Sequence, residues 1–503
     1  MRTILLALIA LLPNLLLAQN RPNVIFIISD DHTSQAISAY GSKLAQTPNI
    51  DRIAKEGAIL YNNIVSNSIC GPSRATLLTG KYSHVNGYKF NERQFDISQP
   101  VFPEELQKSG YQTAWIGKMH LGSLPHGFDY LNILPGHGSY YNSDFVNSKN
   151  ETHRYEGYVT DVITRLSKEW LESRDKNKPF FIVVGHKATH RSWLPSLQDL
   201  GAYDNVTFPI PDTFYDTYQD RIAAHDQDMS IEKTMLLAED LKVNPDYNSK
   251  SGWSSYNRFT PEQKAQFKAY YDKVEADFTQ KKLTGKALTE WKFQRYMRDY
   301  LATAKSLDRN IGELLEYLDQ TGLSKNTVVV YTSDQGFYLG EHGWFDKRFI
   351  YEESLKTPFV IRYPGVIKAG TKVNQVVSNV DWAPTLLNIM NTKIPSTFQG
   401  HSFLPLLTGK TSGWKSESYY HYYEYPEPHH VYPHFGIRTD RYTLAKFYGT
   451  KNFWELYDIK NDPKNLHNLY NDKRYAKVIN DLKKKLVEQI KLVKDDEALP
   501  LVD

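Results

Sequence analysis

The sequence predicts an α/β protein: a large, mixed but mostly parallel sheet sandwiched by helices, followed by a smaller C-terminal α+β lobe with an antiparallel sheet. Three observations predict it. Short unbroken runs of β-branched and aromatic residues, such as Val24-Ile25-Phe26-Ile27-Ile28 and Thr327-Val328-Val329-Val330-Tyr331, have the pattern of strands buried on both faces. Segments of helical periodicity alternate with these runs, as in a parallel sheet with helical crossovers. From about residue 413 the chain turns aromatic and β-prone, then closes on one amphipathic helix.

In chain order, Met1-Arg2-Thr3, the apolar run Ile4 to Leu17 and the small-residue exit at Ala18-Gln19 have the layout of a secretory signal over residues 1–18. Pro13-Asn14 interrupts the run, and a membrane span needs about 20 apolar residues, so a cleaved signal is favoured over an anchor. This implies a periplasmic or secreted protein with no membrane span. Thr113 to Ile116 and Phe180 to Val184 read as two further buried strands. From Gly201 to Leu288 the chain is polar and rich in Tyr and Lys, as in an insertion. A helix starts there at Thr260-Pro261-Glu262-Gln263, where Thr260 can cap and Pro261 suits the first turn. Trp291 to Leu318 reads as a helix, with Tyr296, Met297, Tyr300, Leu301, Ala304, Leu307, Ile311, Leu314, Leu315 and Leu318 at three- and four-residue steps. Tyr419 to Tyr425 and Phe435 to Tyr448 read as strands, and Tyr475 to Val493 as the closing helix. A catalytic domain is thus expected over 19–412 and a C-terminal subdomain over 413–503.

At 503 residues the chain exceeds one hydrophobic core at roughly 150 residues per domain. Sixty Lys and Arg against 57 Asp and Glu leave a net charge of +3, which excludes a nucleic-acid footprint built on bulk charge. Any anion must be handled locally. The one cysteine, Cys70, excludes an internal disulfide and a thiolate zinc cluster.

The downstream ends of the four buried strands carry chemistry. They are Ser29-Asp30-Asp31, Gly117-Lys118-Met119-His120, Gly185-His186-Lys187-Ala188-Thr189-His190 and Ser333-Asp334-Gln335-Gly336. Ligands bind at the carboxyl ends of strands in an open parallel sheet, so these groups can converge. Asp30, Asp31, Asp334 and Gln335 offer hard oxygens suited to Ca²⁺ or Mg²⁺. The residues alone leave this open against ordinary turn and cap roles. Cys70 precedes Gly71-Pro72-Ser73-Arg74, where Pro72 begins a helix whose N-terminus, with Arg74 one turn on, suits an anion. A buried structural cysteine fits the same spacing.

Cys70-Gly71-Pro72-Ser73-Arg74 followed by Leu78-Thr79-Gly80 resembles the signature of type I, formylglycine-dependent sulfatases of the alkaline phosphatase superfamily. Asn23 to Asp31, Gly117-Lys118-Met119-His120-Leu121-Gly122 and Ser333-Asp334-Gln335-Gly336 resemble three further segments of that family. Trp454-Glu455-Leu456-Tyr457-Asp458, with Asp462-Pro463 and Asn468-Leu469, resembles its C-terminal lobe. The resemblance implies an alkaline phosphatase-like fold, conversion of Cys70 to formylglycine by a maturation enzyme, and a Ca²⁺ held by Asp30, Asp31, Asp334, Gln335 and the modified Cys70. Gln335 departs from the family's usual asparagine. Glu352-Glu353-Ser354-Leu355-Lys356 departs from the family's glycine-containing segment.

The resemblance also implies a mechanism. A hydrated aldehyde presents two hydroxyls; calcium and Arg74 activate one, which attacks sulfur as the ester oxygen leaves in line. His190 is then the acid for the leaving alcohol, Lys118 and Lys347 hold the sulfate oxygens, and His120 helps the second hydroxyl collapse to the aldehyde and expel sulfate. Singly, each of these histidines and lysines also fits a satisfied core or surface role.

For the substrate, His342, Arg348, His430 and His434 are candidates for sugar contacts, with the aromatic Tyr419 to Tyr425 segment as stacking faces. The Gly340 to Arg348 and Tyr423-Glu424-Tyr425-Pro426 segments resemble bacterial polysaccharide sulfatases of the glucosamine-6-sulfatase and mucin-desulfating types. The expected substrate is a sulfated oligosaccharide or polysaccharide cleaved from its end. A sulfatase of marine algal polysaccharides and a phosphonate monoester or phosphodiester hydrolase of the same superfamily are the alternatives. A sugar-binding protein without catalysis is disfavoured by the retained Cys70, Arg74 and carboxylates, and an adhesion module by the lack of repeats and disulfides.

Overall fold

The computed structural model describes residues 21–91, 93–249 and 255–502, so the expected export signal lies outside the described residues. None of the described helices is long and apolar enough to cross a membrane.

In chain order the described strands are β1 (Asn23–Ser29), β2 (Ala58–Leu60), β3 (Asn63–Ile64), β4 (Gln112–Lys118), β5 (Tyr130–Leu134), β6 (Asp144–Asn147), β7 (Thr152–Arg154), β8 (Phe180–Gly185), β9 (Thr327–Ser333), β10 (Phe359–Arg362), β11 (Thr371–Val373), β12 (Val377–Ser378), β13 (Glu417–Tyr422), β14 (His434–Thr439), β15 (Tyr442–Phe447) and β16 (Phe453–Asp458). Ten of them form one sheet in the order β11-β2-β10-β9-β1-β8-β4-β5-β6-β7. Its centre, β9-β1-β8-β4-β5, is parallel, and β10, β6 and β7 pair antiparallel with their neighbours. The four strands expected from the apolar runs are the four middle members of this sheet.

Alternation along β1 explains why its sequence is apolar throughout. Val24, Phe26 and Ile28 face a core shared with Trp382, Ala383, Leu386 and Leu387 of the helix Trp382–Ile389. Ile25 and Ile27 face a second core built with Ile163 and Leu166 of the helix Val159–Ser173 and with Leu307, Ile311 and Leu314 of the helix Gly285–Gln320. Both faces are covered, as a parallel sheet requires. The helix Gly285–Gln320 extends the periodic segment by six residues upstream and two downstream, because its N-terminal turns lie on the insertion. Within that insertion Thr260 caps the helix Pro261–Lys281 through a reciprocal box with Gln263.

β13-β14-β15-β16 form the antiparallel C-terminal sheet. The helix Ala476–Val493 lays Leu482, Leu486 and Ile490 against Phe435, Ile437, Leu444 and Leu456 of this sheet. The opposite face, with Tyr420, Tyr422 and Tyr457, packs on Trp344, Phe349 and Tyr351 of the large sheet's layer. Residues after β13 thereby reach the carboxyl end of the parallel strands.

Candidate active site

The strand ends meet because their loops are stitched together. Asp30 donates its backbone N–H to Ala188 O (3.0 Å), Thr189 donates to Asp30 O (2.6 Å), and Asp334 donates to Ser29 O (3.2 Å). Cys70 opens the helix Cys70–Thr79 and points into the same space, 1% exposed. Its Sγ lies 3.2 Å from Asp30 Oδ1, 3.5 Å from Lys347 Nζ and 3.6 Å from Gln335 Nε2.

Three buried cations pair with three buried carboxylates. Arg74 reaches Asp334 through Nε and Nη2, each at 2.9 Å. Lys347 donates to Asp31 Oδ1 and Oδ2 at 2.6 and 2.8 Å, and Lys118 is paired with Asp30. Gln335 donates its amide N–H to Asp31. Burial pushes Asp31 up to about 7 against the pull of Lys347, and burial with the nearby Asp30 pushes Asp334 up to about 6. Burial also acts on Asp30, yet Lys118, His190, Lys347 and Arg74 together hold it well below the usual carboxylate range. Burial, and next Asp30, raise the Cys70 thiol, so an unmodified Cys70 is protonated and a poor nucleophile.

These residues fit a hard cation. Ligand atoms of Asp30, Asp31 and Cys70 lie within 4.8 Å of one another, and the buried Gln335 Oε1 has no hydrogen-bond donor among the described residues. Three carboxylates and an amide oxygen are a calcium-type donor set. A second group, Asp30 with His137 and His190, meets the same 4.8 Å limit.

A cleft of about 640 Å³ opens above Cys70. Its lining includes His137, His190, Lys347, Arg348, Glu424 and His429. The structure therefore brings together Asp30, Asp31, Cys70, Arg74, Lys118, His190, Asp334, Gln335 and Lys347. His120 sits beside them, 6% exposed, its ring 4.1 Å from that of His137. His137 intervenes between His120 and His190, whose ring is 4.6 Å away on its other side, and its Nδ1 is 3.0 Å from Lys118 Nζ.

The expected sugar contacts divide. Arg348 lines the cleft, bonded to Glu424 Oε2 at 2.6 Å and Asp346 Oδ1 at 3.1 Å. Three histidines are corrected. His342 has φ 58° and turns into the core, its Nδ1 on Asp216 Oδ2 at 2.7 Å and its ring against Trp344. His434 is inside the C-terminal sheet: Ile350 N–H donates to its Nε2 at 3.1 Å, and its ring stacks on Phe447 at 4.6 Å. His430 is exposed and outside the cleft lining, and the adjacent His429 lines it instead, with Nε2 3.5 Å from Asp346 Oδ2. Sequence reasoning assigns no role to His137 or Lys187. The signal for His137 is its place three residues after β5, a strand whose run is broken by Asn132.

Two family descriptions match this chain: "Sulfatase" over residues 22–392, and "N-sulphoglucosamine sulphohydrolase, C-terminal" over residues 340–492. The chain is 47% identical over 491 residues to an N-acetylglucosamine-6-O-sulfatase of Bacteroides thetaiotaomicron, covering 95% of this chain and 88% of that protein. It is 26% identical to an ulvan-active sulfatase of Formosa agariphila, covering 95% and 82%. Among solved structures, one described as in complex with its substrate D-glucosamine-2-N,6-O-disulfate aligns with a TM-score of 0.92 and 46% identity, over 95% of this chain and 99% of that one. Agreement of this extent over nearly the whole chain shows that the chain belongs to the sulfatase family and is a sulfuric ester hydrolase.

Proposed function

We propose that this enzyme removes the 6-O-sulfate from glucosamine residues at the ends of sulfated saccharides, using Cys70 matured to formylglycine and a Ca²⁺ held by Asp30, Asp31, Asp334 and Gln335. The observation that carries the proposal is the buried Cys70 set against three carboxylates at the floor of a cleft. The 47% identity to a sulfatase of N-acetylglucosamine 6-sulfate supports the sugar, and the 26% identity to an ulvan-active enzyme makes algal polysaccharide the weaker reading. The segment carrying Glu424, Tyr425, Glu427, Pro428 and His429 walls the cleft, which favours a chain end over the middle of a polymer. The charged start, apolar run and Ala18-Gln19 exit support export to the periplasm or beyond, where such saccharides occur.

When present, calcium supplies Lewis-acid stabilisation of a sulfate oxygen, and the formylglycine side chain supplies an oxygen nucleophile. Lys347 Nζ lies 3.5 Å from Cys70 Sγ and Lys118 is paired with Asp30, whose Oδ1 is 3.2 Å from the same sulfur, so both ammoniums are near the position where charge spreads over the sulfate oxygens in the transition state. His190 donates its Nδ1–H to Arg191 O at 2.8 Å, which makes Nε2 the ring atom that takes up and releases a proton at the leaving alcohol. Burial disfavours its imidazolium, so Nε2 is unprotonated at rest and serves as the acid only after it has taken up a proton. Arg74 takes no place in the cleft lining and holds Asp334.

The test is a panel of 6-O-, 4-O-, 3-O- and 2-O-sulfated saccharides, with an aryl phosphodiester as control. Preferred release of sulfate from N-acetylglucosamine 6-sulfate is expected. Preference for another sulfate position, for internal bonds of a polymer or for the phosphodiester overturns the proposal.

A further inference from the structure

The three cations at the floor of the cleft are each matched to one carboxylate, Arg74 to Asp334, Lys118 to Asp30 and Lys347 to Asp31. Lys187 is not. It lies on the loop that leads from β8 to His190, only 3% exposed. Among the described residues its ammonium has neither a carboxylate nor a hydrogen-bond acceptor, and its one close partner is the ring of Tyr140, 5.0 Å from Nζ. Burial acts on it most and lowers its ammonium to about 7, with Lys118 acting in the same direction and Asp30 and Asp31 opposing them. The charge of Lys187 acts on His137 and His190, which line the cleft, and Tyr140 also donates its hydroxyl to His190 O at 2.5 Å.

Burial without a counter-ion disfavours the charged form of Lys187, because the lost hydration of the ammonium is not replaced by a paired anion. A methionine of similar length would not carry that cost. Such a charge becomes favourable only when an anion arrives nearby. We propose that Lys187 is a positioning residue for the sulfate: its buried ammonium, on the loop that leads to His190, supplies the unpaired positive charge that draws a tetrahedral oxyanion to the Cys70 position. Lys187 is outside the cleft lining, so it acts on the anion at a distance and not by contact. This rests on the reading of the Cys70 cleft as the sulfate site.

The experiment compares matured, calcium-loaded wild type with Lys187→Met, Lys187→Gln and Lys187→Arg, by calorimetric titration with inorganic sulfate, turnover of N-acetylglucosamine 6-sulfate and thermal unfolding. Removing one charge in a poorly solvated site is expected to raise the Kd for sulfate about tenfold in the two neutral variants and to lower kcat/KM by a similar factor. Their Tm rises, and Lys187→Arg keeps sulfate binding near wild type. Unchanged sulfate binding in Lys187→Met and Lys187→Gln overturns the proposal, as does a fall in Tm, which would show the ammonium to be satisfied by the fold. Equal loss in Lys187→Arg would mean shape and not charge, and also overturns it. Wild type that binds sulfate but hydrolyses no sulfate ester refutes the proposed function and leaves the Lys187 comparison intact; wild type that binds no sulfate overturns both.

Discussion

Replacing Arg74 with methionine tests whether the site is held by its buried ion pairs. Arg74 is fully buried, contacts Asp334 twice at 2.9 Å, and donates from Nη1 to Lys118 O at 2.7 Å and from Nη2 to Ser29 O at 3.3 Å. Methionine fills much of the volume but leaves Asp334 buried beside Asp30 with no cation of its own. Removing one partner of a buried pair costs about 3–5 kcal/mol. An unfolding entropy near 2.1 cal/mol/K per residue gives about 1 kcal/mol/K for the 503-residue chain, so Tm should fall by about 3–5 °C. Scanning calorimetry in excess chelator reads this without interference from bound metal. Turnover of the calcium-loaded variant should fall by about 10²-fold or more, the usual cost of losing one preorganised electrostatic contact. The Arg74→Lys variant keeps the charge but not the fork, so it should fall between wild type and Arg74→Met. A methionine variant with unchanged Tm and near-normal turnover would refute the claim that Asp334 depends on this guanidinium.

Exhaustive chelation should abolish activity and calcium should restore it better than zinc, with Asp334→Ala weakening calcium binding more than Gln335→Ala in titration calorimetry; activity that survives chelation would count against the donor set. Although burial opposes it, hydrogen bonds from His342 and Arg221 hold Asp216 down at about 2, below its value of about 3.9 in an unfolded chain. Its contribution to stability is therefore present above pH 4 and lost as pH falls toward 2, so the difference in urea midpoint between wild type and Asp216→Asn should vanish across that window. His429→Ala should lower kcat/KM on the saccharide by about tenfold, the worth of one hydrogen bond to a charged group, with little effect on a small aryl sulfate. His430→Ala should change neither, and equal losses from both variants would return His430 to the site.

The parts of the site that were legible in the sequence lie at the ends of continuous apolar strands. Burial on both faces makes β1, β4, β8 and β9 conspicuous, and the rule that ligands sit at carboxyl ends of parallel strands then gathers Asp30, Lys118, His190 and Asp334. His137 escaped because β5 alternates through Asn132 and lies nearer the sheet edge, where one apolar run no longer marks a strand. Lys187 escaped because a lone lysine after a strand ordinarily reaches solvent, and only the packing of Tyr140 over it shows that this one does not. His342 was misplaced by chain proximity to the metal loop: it follows Asp334 by eight positions, yet a left-handed turn sends the ring to Asp216 of the insertion. In β14 and its neighbours, strand alternation decided the outcome, putting His434 against Phe447 and leaving His429, on the irregular segment before it, to face the cleft. The pairing order of the ten-stranded sheet joins residues about 300 positions apart, such as Ile25 with Val329, and no local pattern encodes it.

The central claim is that residue 70 is the nucleophile and reacts only after modification. The direct measurement is the mass of the peptide bearing residue 70, together with turnover of N-acetylglucosamine 6-sulfate, for wild type and Cys70→Ala from a host that installs formylglycine. The wild-type peptide should be lighter by the difference between cysteine and formylglycine, turnover should scale with the modified fraction, and Cys70→Ala should bind calcium but turn over nothing. Sustained turnover by Cys70→Ala, or full activity in protein whose Cys70 is unmodified, would contradict the account.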